Sequence, residues 1–280
     1  MLRLLVVLIA AGMVAAAFAV VRAALFRRLQ QPALPPAHPI AGPTPAWAVT
    51  HVPLTRRLSE PQLVRLVAKA TDLLATRAWS GCGGLTLTDE MRYTIAVQAA
   101  LLVLEHPGEP YPTLREILVY PATFRPRQFS WTPSADADDR SATLGESWHH
   151  GIVVLAWDAA HQGTADPCDG QNVILHEFSH QLDPQDGEAA SVPTLPSHMA
   201  RDTWTAVLAE AFRRLNRDVD CGRCTVLDEY GASDPAELFA VATEAFFEKP
   251  RRLQREHPAL YAQLSAFYSQ DPAAAVSPQD

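Results

Sequence analysis

The chain has 280 residues, 48% hydrophobic and 19% charged, with a net charge of −8, enough for one large core or two modest ones. The only charged residues among the first 28 are Arg3, Arg22, Arg27 and Arg28, so the rest of the chain carries −12 (−8 less +4). A body this acidic lacks the lysine and arginine surface that neutralises phosphates, which argues against nucleic acid as a partner.

Leu4 to Val21 is an unbroken apolar run of 18 residues, close to the shortest helix that crosses a bilayer. Arg22, Arg27 and Arg28 follow the run and only Arg3 precedes it; the more positive flank stays in the cytoplasm. Residues 1–28 therefore predict an N-terminal transmembrane helix, a single-pass anchor in the inner (cytoplasmic) membrane with the body in the cytoplasm. A cleaved signal ending near Ala17–Ala19, with an exported body, is the alternative. Gln30 to Leu54 holds seven prolines and no charge, a composition that favours extended chain. Residues 29–57 read as a proline-rich linker, 58–268 as the globular body and 269–280 as a disordered tail.

Within the body, apolar residues recur at three and four from Ser59 to Trp79, the period of an amphipathic helix. Thr88 is placed to cap a second helix, Asp89 and Glu90 suit its positive end, and Gly108 closes it after Pro107. Arg115–Phe124 and Trp148–Trp157 read as strands around an acidic loop, residues 134–147. His149 and His150 are neighbours beside a strand and would point to opposite faces, so neither is assigned to a site. Gly151–Trp157 is a candidate edge for pairing with extended substrate, or a purely structural strand. Helices are expected over Ala200–Arg217, through the segment Ser233–Pro250, and over Arg252–Gln270. Strands grouped ahead of helices predict an α+β body, mostly helical with a small sheet. Cys221 and Cys224 form a single CxxC, read as loop cysteines, with a local disulfide or an accessory metal as alternatives.

The segment NVILHEFSHQLDPQDG, Asn172 to Gly187, carries the strongest chemical signal. On a helix of about 100° per residue, His180 falls about 40° from His176, with Glu177 at about 100°. Ile174, Leu175, Phe178 and Leu182 cover the opposite side and can be buried. Two imidazoles one turn apart can reach one zinc ion, and an adjoining carboxylate can take a proton from a water that the metal acidifies. A catalytic zinc needs a third protein ligand. Position 186 is Asp, so the spacing that would supply a third histidine is absent. Glu237, Glu244 and Glu248 share a helical face. Glu237 also stands third after Asp234, so it is either the ligand or part of a capping box. Glu244 and Asp183 are either partners for the far nitrogen of a ligand histidine or solvated carboxylates.

HEFSHQLD followed by YGASDPAELFAVATEAFFE, with GGLTLTDEMRYTIAVQAALLVL, LVYPATF and LGESWHHGIVVLAWDAA before them, resembles the Mlc titration factor A family of zinc-dependent metallopeptidases. The likeness covers most of Leu58 to Ala266. It implies a gluzincin-like arrangement on a zincin-like body similar to the catalytic domain of anthrax lethal factor. One Zn2+ per chain would be held by His176, His180 and Glu237. Glu177 would be the general base in peptide hydrolysis, and Tyr230 would stand beside the substrate to steady the oxyanion. The substrate would be a peptide or protein. The family's name also records the binding of a transcription regulator, so a regulatory binding protein with weak or incidental peptidase activity is the second reading.

Overall fold

A computed structural model describes residues 42–108, 111–122, 151–183 and 193–275. The apolar leader, the loop at 134–147 and the His149–His150 pair lie outside the described residues. Among the described residues no helix is long and apolar enough to cross a membrane.

The body starts earlier than residue 58. Helix α1 (Pro45–His51) and a 3-10 turn (Pro53–Arg57) occupy the second half of the expected linker. Ala48, Val52 and Leu54 are buried in the common core, and Trp47 meets Tyr93 edge-on, with ring centroids 5.3 Å apart. Proline density pointed to extended chain, yet Pro45 and Pro53 each open a helical segment. There the missing N–H has no intrahelical partner to lose and the fixed φ already suits the helix. The side chain of Thr44 caps α1 by accepting the N–H of Trp47 at 3.1 Å.

Helix α2 (Glu60–Thr76) carries a capping box between Ser59 and Gln62. It stops short of Trp79 because Ala78–Gly81 is strand β1, too short to declare a period of two. Helix α3 (Asp89–Leu102) is capped by Thr88 and ends before Pro107, its exit tightened by the N–H of Val103 on the carbonyl of Ala100. Strands β2 (Glu116–Tyr120) and β3 (Ile152–Ala156) complete a three-stranded parallel sheet in the order β1-β2-β3. Ala78 pairs with Glu116, which in turn pairs with Ile152. Along β2 and β3 alternate residues such as Ile117, Val119, Val153 and Leu155 are buried.

After β3 the described chain is helical. Helix α4 (Trp157–Ala165) leads to α5 (Val173–His180), then α6 (Arg201–Asp220), a 3-10 turn (Glu229–Ala232) and α7 (Pro235–Glu248). The expected last helix is two, α8 (Pro250–Glu256) and α9 (Pro258–Tyr268), because Pro258 starts a new helix rather than continuing the old one. A short α10 (Pro272–Ala275) follows, so the first part of the expected tail is packed, with Pro272 and Ala273 buried. In α7 every residue from Ala236 to Glu248 is buried except Glu237. A helix buried on all sides sits in the middle of a core, and here Glu244 and Glu248 are buried with it. Trp204 of α6 meets Phe239 of α7 at 5.9 Å and Phe267 of α9 at 5.3 Å. The architecture is therefore α+β, mostly helical around a small sheet.

Candidate metal centre

Helix α5 presents the two histidines because its other side is apolar. Ile174, Leu175 and Phe178 are buried, and Phe178 packs edge-on against Tyr111, whose hydroxyl donates to the carbonyl of Ala99 at 2.7 Å. Asn172 caps the helix, its side chain accepting the N–H of Leu175 at 3.1 Å. The imidazoles of His176 and His180 thus emerge together, ring centroids 5.0 Å apart, on the side that faces the start of α7.

Asp234 caps α7 by accepting the N–H groups of Ala236 and Glu237. The Glu237 side chain does not fold back to complete a capping box. Its Oε2 instead lies 3.0 Å from His176 Nε2 and 3.6 Å from His180 Nε2. One donor atom from each of His176, His180 and Glu237 lies within 4.8 Å of the other two, and this is the one such group of three among the described residues. Metal–ligand bonds of about 2.0–2.1 Å in a tetrahedron put donor atoms roughly 3.3 Å apart. The two separations, 3.0 and 3.6 Å, bracket that value. Two nitrogens and one carboxylate oxygen at this spacing fit a small divalent cation.

The second ring nitrogen of His176 is also engaged: Nδ1 donates to Glu244 Oε1 at 2.9 Å. Burial opposes a charge on this imidazole, but the hydrogen bonds to Glu237 and Glu244 outweigh it and hold His176 up at about 10. Glu237 shows the mirror image. Burial favours its neutral form, and the hydrogen bonds to His176 and His180 overcome that, driving it far below the usual carboxylate range. Any cation entering between these groups must displace a proton from His176. Glu177 is half-buried beside His176, and its charge acts on both His176 and Tyr230.

Tyr230 comes from the 3-10 turn ahead of α7. Asp228 fixes that turn by accepting the N–H of Tyr230 at 2.9 Å. Gly231 lets it approach α7, because a Cβ there would stand 2.4 Å from Val241 Cγ2. The phenol ring lies 6.0 Å from the His176 ring. Burial, and then the charge and hydrogen bond of Glu237, push the Tyr230 hydroxyl above its ordinary range, so it stays protonated and able to donate. Asp183 is buried, and burial raises it to about 6 against the lowering effect of His180.

The structure thus brings His176, His180, Glu237, Glu177 and Tyr230 into one neighbourhood and adds Glu244 behind His176. Glu244 was legible only as one of two readings, because its burial depends on how α5 and α7 pack. Cys221 and Cys224 are free and exposed. A separate polar cavity of about 370 Å³ is lined by Cys224, Arg223, Lys249 and Asp228, among others, but by none of the histidines.

The chain also resembles known proteins in sequence. The chain is 40% identical over 224 residues to an uncharacterized protein of Synechocystis, covering 79% of this chain and 81% of that relative. It is 34% identical over 232 residues to Mlc titration factor A of Serratia proteamaculans, covering 80% of this chain and 86% of the relative. Against Mlc titration factor A of Yersinia pestis the figure is 33%, covering 80% and 83%. A family model described as glucose-regulated metallo-peptidase M90 matches residues 26–269, a span that takes in the proline-rich arm as well as the body. The chain belongs to the M90 family of glucose-regulated metallo-peptidases.

Proposed function

We propose that the protein is a zinc-dependent peptidase in which His176, His180 and Glu237 hold the metal, Glu177 is the general base and Tyr230 steadies the oxyanion. The observation that carries this reading is the convergence of three donor atoms within 4.8 Å, with a glutamate next in sequence to one ligand and a tyrosine hydroxyl on another. Nitrogen-rich donor sets with one carboxylate are the ligand chemistry of catalytic zinc. When bound, the ion supplies Lewis acidity, lowering the pKa of water and polarising a carbonyl. Glu177 takes a proton from the attacking water and hands it to the leaving amine. Tyr230 donates a hydrogen bond to the oxygen on which negative charge develops, the kind of contact whose loss slows acyl transfer by about 10²–10³. Glu244 keeps the His176 Nδ1 proton in place, leaving Nε2 for the metal.

The body is of the zincin type. The leader at residues 1–28 tethers it to the inner membrane facing the cytoplasm, on the strength of the arginines that follow the apolar run. A second reading has one observation in its favour: relatives of matching length are named Mlc titration factor A. In that reading the fold binds a transcription regulator, and peptide hydrolysis is incidental.

The test is Glu177→Gln, which keeps size and removes basicity. Zinc content should stay at one per chain while cleavage of a general peptide substrate falls by about 10² or more. Cleavage at the wild-type rate would remove Glu177 from the mechanism. Regulator binding that survives His176→Ala while cleavage disappears would show that the two roles are separable.

A further inference from the structure

Glu248 lies eleven residues beyond Glu237 on the same face of α7, and the metal centre as described gives it no task. It is 5% exposed, with one oxygen accepting the N–H of Gly170 at 2.9 Å and the other accepting from Asn172 Nδ2 at 3.0 Å. One turn earlier, Glu244 accepts the backbone N–H of Asn172 on Oε2 while its Oε1 holds His176 Nδ1. The backbone N–H of His176 in turn donates to the carbonyl of Asn172 at 2.9 Å. Asn172, Glu244 and His176 therefore form a closed ring of hydrogen bonds, and Glu248 grips the loop that feeds it.

The grip extends away from the site. Asn172 Nδ2 also donates to Gln98 Oε1 at 2.8 Å, and Gln98 Nε2 donates to Thr164 Oγ1 at 2.7 Å. Gln98 is fully buried and Asn172 is 1% exposed. All of the Asn172 side chain is used: Oδ1 caps the helix, and the amide hydrogens satisfy Gln98 and Glu248. Aspartate is an equally good N-cap in general, but here it would set a carboxylate against two acceptors. Gly170 has φ of +75°, a conformation that glycine adopts without strain and that aims its N–H at Glu248.

We propose that Glu248 is a positioning residue for the metal centre, clamping the Gly170–Asn172 loop so that α5 meets α7 at the rotation that points His176 toward Glu237 and His180. This rests on the reading of His176, His180 and Glu237 as ligands. A buried polar network whose members are all satisfied specifies one geometry. Remove the anchor and the ring around His176 loses its fixed end.

The experiment measures zinc affinity by competition with a chromophoric chelator, below the melting temperature of every variant. Glu248→Ala should bind zinc about tenfold more weakly, the lower end of what loss of an outer partner of a ligand costs. Glu248→Gln, which keeps one acceptor, should fall between it and wild type. Thr243→Val is the control: it removes the Thr243–Tyr268 hydroxyl contact of 2.7 Å elsewhere on α7, so it should lower the melting temperature without moving zinc affinity. If Glu248→Ala does not fold, the intermediate affinity of Glu248→Gln carries the test. Wild-type affinity in the folded Glu248 variants, or an equal loss in Thr243→Val, would overturn the positioning role. If wild type itself takes up no zinc, or His180→Ala binds as tightly as wild type, it is the ligand assignment that fails, and this role falls with it.

Discussion

Gly231→Ala should separate the tyrosine from the metal. The added Cβ would stand 2.4 Å from Val241 Cγ2, 3.2 Å from Leu215 Cδ2 and 3.3 Å from the Leu238 Cα. Ordinary carbon contacts need about 3.5–4.0 Å, so the 3-10 turn must move by an ångström or more, or two buried side chains and the α7 backbone must yield. Overpacking of this kind costs about 1–3 kcal/mol, which unfolding in denaturant would read as a lowered midpoint. Tyr230 precedes Gly231 and moves with the turn, away from Glu237. The ligands sit on α5 and α7 and stay. Zinc affinity should therefore hold while kcat falls by up to about 10², the scale expected for a 1 Å misplacement. A variant with wild-type stability and wild-type kcat would refute both the close-packing argument and the placement of Tyr230 at the reacting centre. Equal loss of zinc and of activity would show that the turn supports the ligands rather than the substrate.

Zinc affinity should depend steeply on pH. His176 is held at about 10 in the protein without metal, and the metal competes with its proton. Apparent affinity should rise by up to tenfold per pH unit from pH 6 toward pH 9, and a flat profile in a chelator competition would contradict it. Stability without zinc should carry a signature of Glu248, which burial first, then Asp169 and Glu244, raise to about 8 against hydrogen bonds from Asn172 and Gly170. The unfolded carboxyl, near 4.5, loses its proton first. At Glu248 the folded state thus binds more protons between pH 4.5 and 8, and this group's contribution to stability is fullest below 4.5 and lost as pH climbs through 8. The full cost is on the order of 5 kcal/mol at most, from about 1.4 kcal/mol per pH unit. Glu248→Gln should flatten that decline in urea titrations at pH 5 and pH 8, leaving a smaller slope of the same sign from Asp183, raised to about 6, and from His176, held up at about 10. A slope identical to wild type would show that Glu248 titrates as an ordinary exposed carboxyl.

The chemistry of α5 was written in local order. His176, Glu177 and His180 fall on one face because the period of a helix is fixed, and Ile174, Leu175 and Phe178 bury the other because nothing polar interrupts them. Thr88 as a helix cap and Asp234 as the start of α7 are likewise local signals, readable without the fold. Three things were not. The arm from Pro45 to Arg57 looked extended, since proline at a helix start and proline in open chain share the same letters. Only burial of Ala48, Val52 and Leu54 tells them apart. Strand β1 is too short to show a period and exists because β2 lies beside it. The choice between ligand and cap for Glu237, and between solvated carboxylate and histidine partner for Glu244, depends on where α5 crosses α7; His176 and Glu237 are 61 residues apart in sequence and 3.0 Å apart in space. Sequence fixes which face a side chain takes; tertiary packing decides what it meets there, because a carboxylate three turns down a buried helix has no local way of knowing whether water or an imidazole will stand opposite.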